Sequence, residues 1–125
     1  MIYGLVLDVK CGNDAFMSNL TDAKKLVRIM LKIAQKLKVK TSVIISDMNQ
    51  PLGRMIGNIC EFYEAYEFLQ GKNQDSALIE LVTSLSSISL LQAEICNNFD
   101  EAKQKCIEQL KSLVLLNIFK QFIKQ

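Results

Sequence analysis

Apolar residues gather in two short runs near the start of the chain and then recur at helical spacing to its end. Residues 3–9 read Y-G-L-V-L-D-V, a nearly continuous apolar run with β-branched content. Such runs fit a strand covered on both faces of a parallel sheet. Asp8 and Lys10 mark its C-terminal end, and Cys11-Gly12-Asn13-Asp14 punctuates the loop that follows. Thr21 then Asp22 reads as a helix start, an N-cap followed by an acid in the first turn. Ala23, Leu26, Val27, Met30, Ala34 and Leu37 keep helical spacing after it. Lys25, Arg28, Lys32 and Lys36 fall on the opposite side, a solvated face. Residues 39–47, centred on Val43-Ile44-Ile45, form a second strand pattern. Strand, helix, strand in that order predicts parallel pairing through a right-handed crossover.

The second strand runs into Ser46-Asp47-Met48-Asn49-Gln50-Pro51-Leu52-Gly53. This polar, turn-forming loop falls at the C-terminal edge of the sheet, where open α/β sheets bind ligands. Asn58 and Glu61 make an N-cap and capping-box pattern for a helix to about Leu69, stopped at Gly71. The rest is helical by pattern: about 75–95, a second helix from Asp100 and a third after Ser112. No strand pattern returns after Asp47. The fold class is therefore α/β, one parallel βαβ unit followed by several helices. The 125 residues suit a single partial domain, with the βαβ unit and its loop helix in 1–71 and a helical segment in 72–125.

Half the residues are hydrophobic, enough for a core at this size, and the net charge is only +2. The basic residues form no block, so neither nucleic acid nor a membrane surface is expected as a partner. The apolar stretch 77–96 carries Glu80, Gln92, Glu94 and several serines, which suits a buried helix better than a membrane span. Cys11, Cys60, Cys96 and Cys106 include no CxxC pair, and the chain has no histidine. A structural zinc site is not expected. The four thiols read as small buried hydrophobes, reduced in a cytoplasm. Met1-Ile2-Tyr3-Gly4 offers no basic leader before the first strand, so no secretory signal is expected. Without histidine, no Ser-His-Asp or Cys-His mechanism can be assembled from these residues.

Two stretches carry a resemblance. Residues 7–17, L-D-V-K-C-G-N-D-A-F-M, resemble the D-V-K-x-G-x-G-A-F-M segment of the thymidine and pyrimidine-nucleoside phosphorylases. Residues 46–64, S-D-M-N-Q-P-L-G-R-M-I-G-N-I-C-E-F-Y-E, resemble the S-D-M-x-Q-P-L-G-x-x-I-G-N-x-x-E-x-x-E segment of the same family. The match runs from about Gly4 to Gly71. Beyond it, the helices and the closing F-K-Q-F-I-K-Q resemble the family's next segment loosely. The resemblance implies an incomplete nucleoside-phosphorylase catalytic domain, a fragment of the central α/β part. The family is a set of pentosyltransferases that cleave pyrimidine nucleosides with phosphate, giving free base and pentose 1-phosphate. It implies a site in the cleft between this domain and a small helical one, usually in a homodimer.

Residue by residue, the resemblance places Leu52, Met55 and Glu64 at positions that in that family bind a monovalent cation, potassium. The first two would act through main-chain carbonyls and the third through its carboxylate. Phe16 matches a residue lining the base pocket. Asp14 departs from a family glycine, adding negative charge beside an anion region. Asp8 and Asp47 end their strands at the same edge and read as satisfied loop-capping carboxylates. The family's Gly-rich phosphate loop, its S-G-R-G-x-x-x-T-G-G-T-x-D signature, its catalytic histidine and its Arg, Ser and Lys base-binding residues have no counterpart among these residues. No catalytic or phosphate-binding residue is assigned here, and whether the chain is itself an enzyme stays open. It is expected to be inactive alone. It would be either one half of a split phosphorylase needing a complementary chain or a non-enzymatic relic of a truncated frame.

Overall fold

The computed structural model describes residues 4–124, in the order β1 (Leu5–Cys11), α1 (Leu20–Lys36), β2 (Thr41–Asp47), α2 (Asn58–Leu69), α3 (Ser76–Gln92), α4 (Phe99–Lys111) and α5 (Val114–Ile123). The α/β class holds. β1 and β2 pair in parallel from Leu5↔Thr41 to Cys11↔Asp47, and among the described residues they are the only strands of the sheet. The Tyr3 end of the first strand pattern and the Met1 start lie outside the described residues.

Strand alternation puts Leu5, Leu7 and Val9 with Thr41, Val43 and Ile45 on one face of the sheet. Met30, Ile33 and Ala34 of α1 and its C-cap Leu37 line an apolar groove together with Leu5, Leu7, Val39 and Thr41, so α1 lies over that face. α3 packs on the other. There the Gln92 amide nitrogen donates to the Ser42 hydroxyl at 2.8 Å and to the Leu5 carbonyl at 3.2 Å. Lys40 returns a bond to the Gln92 carbonyl at 3.1 Å. One side chain thus ties the end of α3 to the start of both strands.

The fully buried side chains of α3 are Thr83 and Ser87, not its leucines. Each hydroxyl donates back to the carbonyl four residues earlier, Thr83 to Ile79 at 2.7 Å and Ser87 to Thr83 at 2.6 Å. Small side chains satisfied in this way let α4 approach closely, with Ala102 fully buried on it. α5 closes onto α2 through Phe62 and Phe119, whose ring centroids lie 5.1 Å apart.

Two helix starts differ from the sequence reading. α1 begins one turn-fraction earlier, capped by Asn19: its side chain accepts from the Asp22 N–H at 2.9 Å and donates to the Asp22 carboxylate at 2.8 Å. The reciprocal pair satisfies an end donor that Thr21 does not reach. α2 is capped by Gly57 rather than Asn58, while Glu61 reaches back to the Gly57 N–H at 3.0 Å as the capping-box pattern requires. The cysteines also differ. Cys96 is buried, Cys11 and Cys106 are half-buried and Cys60 is exposed, since it points outward from the first turn of α2. No helix of the described residues is long and apolar enough to cross a membrane.

Candidate functional site

The loops after β1 and β2 meet at the carboxyl edge of the sheet. The Met48 N–H donates to the Cys11 carbonyl at 2.8 Å, and the Asp14 N–H donates to the Met48 carbonyl at 3.2 Å. The Asn13 N–H donates to the Asn49 side-chain oxygen at 3.2 Å. Gly12 is buried at the centre of this seam. Its φ is 151°, and a Cβ there would sit 2.5 Å from the Met48 carbonyl carbon. Only glycine lets the two backbones come so close. The two family-like stretches, 36 residues apart at Asn13 and Asn49 in sequence, therefore build one continuous rim.

The strand-end carboxylates are engaged in that rim. Asp8 accepts from the Ser46 hydroxyl and pairs with Lys10 at 2.7 Å. Asp47 accepts from the Asn49 N–H at 3.2 Å and from its side-chain nitrogen, closing the turn. Both are the satisfied carboxylates that the strand ends implied. Asp14 is not among the residues with positive φ, so its side chain meets no backbone strain here.

Past the rim, the chain folds over the first turns of α2. Glu64 is only 8% exposed. One carboxylate oxygen accepts from the Arg54 N–H at 2.7 Å and the other from the Met55 N–H at 3.4 Å. Gly53, with φ 84°, lies so close that a Cβ would come within 2.6 Å of that carboxylate. The carboxylate therefore clasps the 53–55 turn directly onto the helix. Met55 is thereby held beside Glu64, and Leu52 stands one residue before the clasped turn, so the three positions named for a cation lie in one local part of the fold. Oxygen donors of this kind, main-chain carbonyls with one carboxylate, suit a hard monovalent ion. A carboxylate has about four lone-pair positions, so the two N–H bonds leave acceptor capacity for one. Among the described residues no three of His, Cys, Asp and Glu converge as a metal cluster, so carbonyls would have to supply most of the coordination.

Beside the clasp is a cavity of about 280 Å³ lined by Asp47, Gln50, Pro51, Leu52, Gly53, Asp75 and Ala77. Asp75 and Ala77 bring in the N-terminus of α3, where the Asp75 side chain caps the Ala77 N–H at 2.9 Å. That contribution was missed in the sequence, where Asp75 reads only as a helix start. Phe16 stands apart, 97% exposed in the loop after β1. It lines neither this cavity nor a wall of its own among the described residues. The carboxylates held below their ordinary pKa lie elsewhere: Asp22 by its bond to Lys25, Glu80 by Lys103, and Glu101 chiefly by the Asn97 N–H. Asp22 and Glu80 are exposed on helix surfaces and Glu101 is half-buried, and none lines the cavity.

A parallel βαβ unit with a two-loop rim and a hollow at its carboxyl edge is an α/β unit of the kind whose open sheets bind ligands at that edge. No family model matches the chain. It is 44% identical over 119 residues to the pyrimidine-nucleoside phosphorylase of Staphylococcus epidermidis (strain ATCC 12228), an alignment covering 95% of this chain. It is equally 44% identical over 120 residues to that of Staphylococcus aureus (strain USA300). The chain spans 27% and 28% of the length of these curated relatives. Along nearly all of its length, then, the chain is related to one stretch of the pyrimidine-nucleoside phosphorylases. The likeness runs through the helical half as well as through the two loops.

Proposed function

We propose that this chain supplies the central α/β unit of a pyrimidine-nucleoside phosphorylase, in a cytoplasm, and acts only together with a complementary polypeptide. The observation that carries this is the seam at Gly12, where the two most family-like stretches hydrogen-bond into one rim. The 44% identity extends over that whole arrangement. In phosphorolysis, a phosphate oxygen bonds to the anomeric carbon of the pentose as the bond to the pyrimidine nitrogen breaks. Positive charge develops on the sugar in between, beside the phosphate. Groups that hold phosphate and sugar in line supply most of the rate. The resemblance places the Arg, Ser and Lys that bind the base outside the stretch this chain matches, so the complement would supply them. Phe16, exposed at the end of the β1 loop, would face the base once a second wall is present. The 125-residue chain alone is expected to release no base from uridine or thymidine with phosphate. Addition of the part of the Staphylococcus epidermidis relative outside the matched stretch should restore phosphate-dependent release. Turnover by the chain alone would overturn the reading.

The same reading assigns Leu52 and Met55 carbonyls and the Glu64 carboxylate to a potassium ion, whose charge would pin the 52–55 turn and, through it, the rim. A ligand that binds only the folded state stabilises it. Potassium chloride, against tetramethylammonium chloride at equal ionic strength, should therefore raise the unfolding midpoint by about 2–5 °C. Equal midpoints in the two salts would remove the cation from the proposal.

A further inference from the structure

We propose that the outer edge of β2 is a self-association surface: it pairs antiparallel with the β2 strand of a second copy of this chain, about a two-fold axis at Ile44.

The direction of the backbone groups shows which edge is open. The Leu5 N–H donates to the Lys40 carbonyl, and the Met48 N–H to the Cys11 carbonyl, each at 2.8 Å. Even-numbered residues of β2 therefore face β1. Thr41, Val43, Ile45 and Asp47 turn their N–H and C=O groups outward. Among the described residues, the elements packed against β2 are β1 beside it and α1 and α3 on its faces, and no strand pairs with this outer edge. At β1 the corresponding edge is partly closed, because the Gly12 N–H donates to Met17 and Cys11 bridges to the same residue.

The occupant follows from the strand itself. Residues 41–47 read T-S-V-I-I-S-D, nearly the same in both directions about Ile44. Antiparallel pairing on that centre sets Ser42 opposite Ser46, Val43 opposite Ile45 and Thr41 opposite Asp47 of the other copy. Its hydrogen-bonded pairs are then Thr41 with Asp47 and Val43 with Ile45, the residues whose backbone groups point outward. The β-branched pairs are good cross-strand neighbours, and a Thr hydroxyl can donate to the facing Asp carboxylate. Lys38, just before one strand, comes toward the end of the other that carries Asp47. The edge has no proline, bulge or inward charge of the kinds that ordinarily block such pairing. A two-fold axis closes the assembly at two copies. The pairing also sets both α1 helices on one face of the joined sheet, where Ile29, Ile33 and Leu37 are exposed at four-residue spacing.

The test is the mass of the 125-residue chain by sedimentation equilibrium. The expected result is a species of twice 14.2 kDa. Val43→Lys should sediment at the monomer mass with its circular dichroism unchanged. Thr41→Lys and Thr41→Glu probe the register, since residue 41 faces Asp47 only in the pairing proposed. The lysine variant should dimerise about tenfold more tightly than the glutamate variant. A monomer at all concentrations, an assembly that grows beyond two copies, a folded Val43→Lys dimer, or equal affinities for the two Thr41 variants would each overturn it.

Discussion

Gly12→Ala should be the most damaging single substitution in the rim, costing roughly 3–5 kcal/mol of unfolding free energy. The added methyl would meet backbone, not a side chain that can swing away. It would lie 2.5 Å from the Met48 carbonyl carbon and 2.6 Å from the Asn49 nitrogen. Relief requires the β1 and β2 loops to part, which breaks the bonds from Asp14 to Met48 and from Asn13 to Asn49. Domains of this size have about 5–15 kcal/mol to lose, so the variant should be partly unfolded at physiological temperature. Urea unfolding followed by circular dichroism checks this. A midpoint equal to that of the unchanged protein would show that the two loops are not in contact.

Glu64→Ala should lower stability by about 2 kcal/mol, and the thermal midpoint by roughly 5–10 °C. The loss comes from two backbone donors, the Arg54 and Met55 N–H groups, that now rest on one buried carboxylate. Met55 is half-buried and its bond is long, whereas Arg54 is exposed and can turn to water, which keeps the figure moderate. Glu64→Gln should recover part of the loss, because one acceptor oxygen remains for the shorter bond. Differential scanning calorimetry separates the three proteins. If alanine and glutamate melt together, the carboxylate does not hold the turn.

The strands, their parallel pairing and the helices after them were legible because apolar run and apolar period each report a different element. Where the reading slipped, several residues of one chemical type competed for one role. Asn19 and Thr21 are both good capping residues, and the sequence does not say which side chain reaches the Asp22 N–H. At α2 the signal was split. Glu61 announced the box correctly, but the cap fell on Gly57, whose φ of 114° no pattern of polar residues reveals. The grouping of Leu52, Met55 and Glu64 could be drawn from family likeness, because no local rule links a carboxylate to a turn ten residues before it. The Asp75 wall of the cavity was invisible for a related reason. Its position depends on how the helical half folds back, which chain-local periodicity does not encode. Cys60 illustrates the limit of residue type: a side chain that is usually buried lies outward when its helix presents that face.

The bond from Gln92 to Leu5 and Ser42 has a consequence for how the chain is made. Synthesis releases the two strands well before the residue that fastens α3 over them. At roughly 5–20 residues per second, the strands wait a few seconds with one sheet face uncovered. During that interval the nascent chain presents the apolar residues of β1 and β2 to whatever surrounds the ribosome exit. The yield of folded protein should therefore depend on translation speed between Asp47 and Gln92 and on chaperones that shelter the half-made sheet, more than on the stability of the finished fold.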